Sequence, residues 1–199
     1  GARQNISFSI WRNVARYSLH MEKPGRGRLI TAALRLLAAQ GSGAVTVRAV
    51  EQEAGMPHGS VRHHFGGLSD LRSALVRALL EAEAIPDPPE PHGAPSPASL
   101  TALVDHWTGD GAPIAVARYE VMLMAIRDPA VRDAFVPARE TFVDRVAALG
   151  VERSTARTLV AMLDGIVLDA LVRGRPPELG PWLASLGHAA APVGQPGGP

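Results

Sequence analysis

The stretch from residue 46 to residue 65, TVRAVEQEAGMPHGSVRHHF, decides how this chain folds. Val47, Val50, Glu51 and Ala54 recur at spacings of three, one and three, the period of one helix face. Thr46 precedes them as an N-cap residue, whose side-chain oxygen accepts an N–H that the first turn leaves without a partner. Gly55 ends that helix, because glycine takes a left-handed conformation at little cost. Pro57 starts a second helix over about 57–64, where its missing N–H costs nothing. Two short helices joined by Ala54, Gly55 and Met56 predict a helix-turn-helix. Val50 and Ala54 pack against Val61, Phe65 joins the core, and the second helix turns its polar side outward.

The flanks extend this pattern. GRGRLITAALRLLAAQG, 25–41, is helical, with Leu29, Ala33, Leu36 and Leu37 on one face and Gly41 as its stop. LSDLRSALVRALLEAEA, 68–84, is a connecting helix with Leu71, Leu75, Ala78 and Leu79 on its apolar side. Six prolines from Pro86 to Pro97 make 85–97 a linker or surface loop. Helices resume at about 98–108, 112–126, 129–149, 154–174 and 178–190, with Asp128–Pro129 and Ser154 as start signals. Residues 191–199, APVGQPGGP, read as a disordered tail. Residues 1–21 read as an extension or flexible arm, with Met21 a candidate start. Ile6, Ile10 and Val14 in that arm permit a short amphipathic helix bearing Arg12 and Arg16 on another face. No run of alternating β-branched residues occurs. The expectation is an all-α chain. An N-terminal three-helix domain with the helix-turn-helix, 22–70, joins a larger helical domain over 98–190.

Charge divides the chain in the same place. Residues 1–21 carry a net +3, residues 22–80 a net +4 and residues 81–199 a net −6, beneath an overall +1. A basic front and an acidic back point the front toward a polyanion. There is no cysteine, so disulfides and thiolate metal sites are excluded. No apolar run approaches the roughly 18–20 residues of a membrane span, and LVAMLDGIVLDALV is interrupted by Asp164 and Asp169. A cytoplasmic protein is expected.

Three histidines stand in the second helix. A helical metal site wants ligands at i and i+3 or i+4, whereas His58, His63 and His64 are five and one apart with no acid or cysteine among them. General acid–base work needs a partner nucleophile in an enclosed pocket, and a groove-facing helix is open to water. No Gly-rich phosphate loop, HExxH, GxSxG or close carboxylate pair suggests an enzyme. Neither a cofactor nor a metal is expected. Contact with DNA is the remaining chemistry, since a helix of this diameter fits the major groove.

The segment TVRAVEQEAGMPHGSVRHHFGGLSDL, 46–71, resembles the DNA-binding domain of TetR-family transcriptional regulators. That family runs Thr-Val-x-x-Ile-Ala, then Ala-Gly-Val-Ser-x-Gly-x-Leu-Tyr-x-His-Phe, then Lys-Glu-x-Leu. The resemblance covers about 26–80. It implies that His58, Ser60 and His63 face base edges, that Thr46, Arg48, Arg62 and His64 grip phosphates, and that Gly59 allows close approach. For His64 a partly buried ring bonded to nearby backbone is the alternative. The chain departs from the pattern at several places. Pro57 replaces the capping Ser or Thr, Arg62 replaces the tyrosine, and Leu68 replaces the lysine, for which Arg72 is the nearest substitute.

The acidic half carries a broad apolar helix, TARTLVAMLDGIVLDALVRG, 155–174, which must be covered on more than one side. The resemblance implies a homodimer through it and through 178–190. Leu159, Leu163, Ile166, Val167, Ala170, Leu171 and Trp182 would lie at the interface, with Gly165 permitting close approach. Trp107, Arg118, Tyr119, Met122, Ile126 and Asp164 are candidates for a small-molecule effector site, with Met124, His106 and Glu120 nearby. Trp and Met at helical spacing also suit plain core. Asp164 and Asp169 need a ligand, water or an arginine such as Arg118, Arg139 or Arg145. The implied partners are an operator in double-stranded DNA, a second copy of the chain and an unknown small molecule, with no membrane. The implied role is a ligand-responsive repressor. The alternatives are a DNA-binding protein without an effector, constitutive or architectural, and an enzyme in the helical domain.

A dimer making about 6–10 phosphate contacts loses roughly 10³–10⁵ in affinity between about 50 and 200 mM salt. Histidines at the contact surface add positive charge as pH falls. DNA binding is therefore expected to be tighter and less selective at about pH 6 than at about pH 8. Salt and pH titrations of fluorescent duplexes measure both, and flat profiles discard the expectation.

Overall fold

The structure is a computed structural model that describes residues 24–82 and 97–180, apart from residue 178. Eight α-helices follow one another among the described residues, with no strand. They are α1 (Pro24–Gln40), α2 (Val47–Glu53), α3 (Ser60–Phe65), α4 (Leu68–Ala82), α5 (Pro97–Thr108), α6 (Ala112–Arg127), α7 (Pro129–Ala147) and α8 (Arg153–Arg173). A 3₁₀ turn, Ser42–Ala44, links α1 to α2. The expected arm at 1–21, the proline-rich stretch up to residue 96, the helix over 178–190 beyond residue 180 and the tail at 191–199 lie outside the described residues.

α1 is buried around much of its circumference because it packs on α2, α3 and α4 and also on α6. The resulting core runs through both halves of the chain. Leu29, Leu37, Val45, Val50, Val61, Phe65, Leu71 and Leu75 share it with Ile114, Val121, Val131 and Phe135 of α6 and α7. A second cluster joins Leu100, Val104 and Trp107 of α5 to Ala115, Leu163, Val167 and Leu179. α6 stands between the two clusters. Half of its buried residues are alanines (Ala115, Ala117, Ala125), which lets neighbours approach on two sides. α7 and α8 are joined at one end through Val143, Val146, Ala156 and Val160. Above that cluster Arg153 and Arg157 pair with Glu140, and Arg153 also with Asp144 at 2.7 Å.

The helix-turn-helix is clasped by one carboxylate. Glu51 of α2 is 3% exposed. Its Oε1 accepts the N–H of Val61 at 2.9 Å and of Gly59 at 3.0 Å, and its Oε2 lies 3.1 Å from Nδ1 of His58. The carboxylate thus satisfies N–H groups that open α3, where negative charge is favoured by the helix dipole. The Val61 N–H is the main reason its carboxyl is held below the ordinary range. His58 and the Gly59 N–H add to this, against burial, which pushes the other way. Thr46 caps α2 as expected, accepting the N–H of Ala49 at 3.3 Å. The C-terminal end of α2 is closed by Arg28, which donates to the carbonyls of Ala54 at 2.7 Å and Gly55 at 3.2 Å. Gly55 has φ +59°, the left-handed conformation that the sequence requires of it.

Three local expectations change. α3 begins at Ser60 rather than near Pro57, because Gly59, at φ +92°, breaks the helical run. α8 is capped by Glu152, whose side chain accepts the N–H groups of Ser154 and Thr155, so Ser154 is inside the first turn. Arg72, the nearest substitute for the missing lysine at the start of α4, is turned toward Asp128 at 3.6 Å, between the two halves of the chain.

Replacing Glu51 by alanine leaves the Val61 and Gly59 N–H groups without their acceptor and is expected to lower Tm by several degrees at neutral pH. A carboxyl held below its ordinary value stabilises the fold above pH 4.5 and loses that contribution as pH falls through the lowered value. The Tm gap between the protein and Glu51→Ala should therefore be full at about pH 7 and shrink below about pH 4. Melting by circular dichroism across that range measures it, and a gap that widens on acidification contradicts the clasp.

Candidate functional site

The turn before α3 and the outer side of α3 form one polar surface. Pro57, His58, Gly59, Arg62 and His63 are exposed, and Thr46 and Arg48 are exposed at the start of α2 beside them. The His58 side chain is 91% exposed even though its Nδ1 reaches Glu51. Val61 and Phe65 are buried on the opposite side, as their spacing predicts. Ser60 is not on the polar surface. It is buried, and its hydroxyl donates to the carbonyl of Pro57 at 2.6 Å, closing the turn that the left-handed Gly59 opens. The expected base contact from Ser60 is corrected on that ground.

His64 is half-buried. Its carbonyl accepts from Arg26 at 2.8 Å, and its ring meets His63 edge-on with centroids 4.8 Å apart. α1 passes so close that a Cβ at Gly25 would come within 2.6 Å of His64 Nε2. Arg26 lies over the Phe65 ring at 4.1 Å. Arg26 and Arg28 therefore brace α2 and α3 from behind, and Arg48, Arg62 and the imidazoles are what the front presents.

A second group of polar side chains is held between α5, α6, α7 and α8. Arg118 is 2% exposed and stacks on Trp107 at 4.6 Å and on Tyr119 at 5.1 Å. Its Nη2 lies 3.3 Å from the Tyr119 hydroxyl and 3.5 Å from Oδ1 of Asp164. Arg139 binds the other oxygen of Asp164, and the Tyr119 hydroxyl donates to the Asp164 carbonyl at 2.8 Å. Burying an ion costs several kcal/mol unless it is paired, and here each guanidinium shares the one carboxylate. Of the arginines considered for Asp164, Arg118 and Arg139 reach it, while Arg145 is exposed. Asp169 instead pairs with Arg173 one turn along α8 at 2.7 Å, on the open side.

Of the six candidate effector residues, Trp107, Arg118, Tyr119 and Asp164 come together. Met122 packs on the other core, with the residues of α1 to α4. Ile126 is 67% exposed and walls nothing, on the outer side of the α6 turn whose Ala125 is buried. Glu120, next to Tyr119, turns the opposite way and accepts the N–H of Ser42 at 2.9 Å. Sequence reasoning placed Glu51 on the inward face of α2 without giving it a task. An acid at a register otherwise held by Val50 and Ala54 was the available signal.

The candidate dimer residues are also redistributed. Leu163, Val167 and Ala170 are buried in the chain's own core, and Leu159, Ile166 and Leu171 are half-buried. Trp182 lies outside the described residues. The bulkiest stripe of α8 is taken by α5 and α7. The open side of the helix carries Ala161, Gly165, Leu168 and Val172, and a Cβ at Gly165 would meet nothing within 4 Å. No described helix is long and apolar enough to cross a membrane.

Comparison with known proteins agrees with this architecture. Residues 29–75 match the model of the bacterial regulatory proteins, tetR family, and residues 97–190 match a tetracyclin repressor-like C-terminal domain. The solved structure of multidrug binding protein EbrR complexed with ethidium is 32% identical, with a TM-score of 0.71, covering 82% of this chain and 97% of that one. EbrR complexed with imidazole is 30% identical, with a TM-score of 0.68, covering 89% and 97%. A member of the TetR family from Streptomyces coelicolor A3 is 30% identical, with a TM-score of 0.68, covering 83% and 98%. Among curated proteins nothing matches. With α1 to α4 carrying a helix-turn-helix and α5 to α8 the second helical domain, the chain belongs to the TetR family of DNA-binding transcriptional regulators, and it is not an enzyme.

Proposed function

We propose that the chain is a ligand-responsive repressor that acts in the cytoplasm, as a homodimer on a near-palindromic operator. The observation that carries this reading is the joint exposure of His58, Arg62 and His63 at the front of the helix-turn-helix, with Thr46 and Arg48 beside them. His58 and His63 read base edges, with Gly59 allowing the turn to come close. Arg48, Arg62 and the Thr46 hydroxyl hold phosphates. Phosphate contacts position the protein and base contacts specify the sequence. Two copies set these surfaces in successive major grooves, about 34 Å apart.

The dimer forms through the open side of α8, along Ala161, Gly165, Leu168 and Val172, flanked by Leu159, Ile166 and Leu171 and completed by the segment that holds Trp182. The small residues let two helices approach, and Leu168 and Val172 supply the apolar area. The effector site is the ground around Trp107, Arg118, Tyr119 and Asp164. EbrR, solved in complexes with ethidium and with imidazole, supports a small organic ligand for this chain. α6 links that site to DNA, since Arg118 and Tyr119 face Asp164 while Glu120 holds Ser42 beside α1. A ligand that favours one arrangement of α6 by about 1–3 kcal/mol changes DNA affinity about 5- to 150-fold.

A second reading, DNA binding without an effector, is favoured by the way Arg118, Arg139 and Tyr119 already pair with Asp164. Thermal melting with ethidium separates the two, since an effector raises Tm and releases DNA, while unchanged Tm and DNA binding favour the second. Selection of bound fragments from random DNA is expected to yield a two-fold symmetric site, and enrichment of an asymmetric one overturns the dimeric reading. Leu168→Asp is expected to give a monomer in light scattering and to weaken operator binding by about 100-fold or more through lost bivalency.

A further inference from the structure

One side chain on the DNA-facing surface has its hydrogen-bonding character set from inside the protein. His58 stands open to solvent at the front of the turn, yet its Nδ1 lies 3.1 Å from Oε2 of the buried Glu51. The other Glu51 oxygen is committed to the N–H groups of Val61 and Gly59. Those bonds, the Val61 one foremost, hold the carboxyl below its ordinary range, so it is ionised at neutral pH. An ionised carboxylate only accepts hydrogen bonds. The ring nitrogen that faces it must donate, and in a neutral imidazole the second nitrogen is then an acceptor.

We propose that Glu51 holds His58 in the tautomer protonated on Nδ1, so that Nε2 meets the major groove as an acceptor and selects a base bearing an amino group there, adenine or cytosine. Adenine N6 and cytosine N4 donate in that groove, whereas guanine O6 and N7 and thymine O4 oppose one lone pair with another. Glu51 is a positioning residue. It touches no DNA and acts by deciding which atom of His58 carries the proton. The inference rests on the regulator reading, with this face in the major groove.

Substituting Glu51→Gln tests it with almost no change of shape. The amide oxygen can keep the Val61 and Gly59 N–H groups while the amide nitrogen turns to His58 and donates. Nδ1 then becomes the acceptor, and Nε2 carries the proton outward. Fragments selected from random DNA at about pH 8, where free imidazole is neutral, define the operator for the full chain and for each variant. His58→Ala identifies the position that His58 reads by the loss of preference there. At that position the unaltered protein is expected to choose adenine or cytosine. Glu51→Gln is expected to move the preference toward guanine or thymine by about 5- to 150-fold, the span of one mismatched pair. Adding Glu51→Gln to His58→Ala should move it no further. A preference for guanine or thymine in the unaltered protein overturns the inference, as does an unchanged choice in a folded Glu51→Gln.

Nitrogen-15 shifts of His58 in the DNA-free protein give an independent readout that a merely structural role for Glu51 would not move. The Nδ1-protonated form is expected, and the Nε2-protonated form overturns the inference even if Glu51→Gln does not fold. A selection that enriches no sequence overturns instead the regulator reading on which it rests, whatever tautomer the spectra report.

Discussion

The placement of α3 depends on one buried carboxylate. Glu51 reaches from α2 to two N–H groups at the start of the next helix and to the first imidazole of the exposed face. An α-helix of six residues has little stability of its own, since nucleation is costly and few internal bonds repay it. Something outside it must satisfy its opening N–H groups and fix its direction. Pro57 stands where the family pattern has a hydroxyl cap, and Glu51 stands where that pattern has alanine. The two departures offset each other. The cap has moved from the turn to the preceding helix, and Val61 and Phe65 then anchor the other side of α3 in the core.

Charge inside the protein follows the same logic in both halves. Arg26, Arg28 and Glu51 are spent on holding α2 and α3 in place, which leaves a small set of cations facing outward. In the second half, Arg118, Arg139 and Asp164 are drawn between four helices, with aromatic faces replacing part of the water that Arg118 gives up. α6 carries residues that belong to each system. Arg118 and Tyr119 face one way and Glu120 faces the other, a division that adjacent positions about 100° apart on a helix allow.

The helices were legible from the sequence because periodicity, capping residues and helix-ending glycines agree with one another. Thr46, Gly55 and Asp128–Pro129 each do what their chemistry predicts. The core face was legible too, at Leu29, Leu71 and Leu75. What failed was the assignment of polar and apolar groups between competing partners. Ser60 has the composition of a groove residue but is used to close a turn. Ile126 has the composition of a pocket wall but lies on the outer side of its helix, open to solvent. On α8 the chain itself takes Leu163, Val167 and Ala170 of the stripe suggested for a second subunit and leaves Leu159, Ile166 and Leu171 half-buried. A periodic stripe says that a face is covered and does not say by what. The task of Glu51 was hidden for the same reason, since the atoms that receive it lie eight and ten residues further along the backbone.

The core that runs from α1 and α4 into α6 and α7 has a consequence for how the molecule can be divided. Ile114, Val121, Val131 and Phe135 are packed against the same leucines that support the helix-turn-helix. Severing the chain after α4 would strip that lining away and leave a wide oily scar on the remaining fragment. The head that reads DNA is thus no portable cassette. Part of the packing that holds it is supplied by α6 and α7, so a change that loosens them removes contacts from the first half as well.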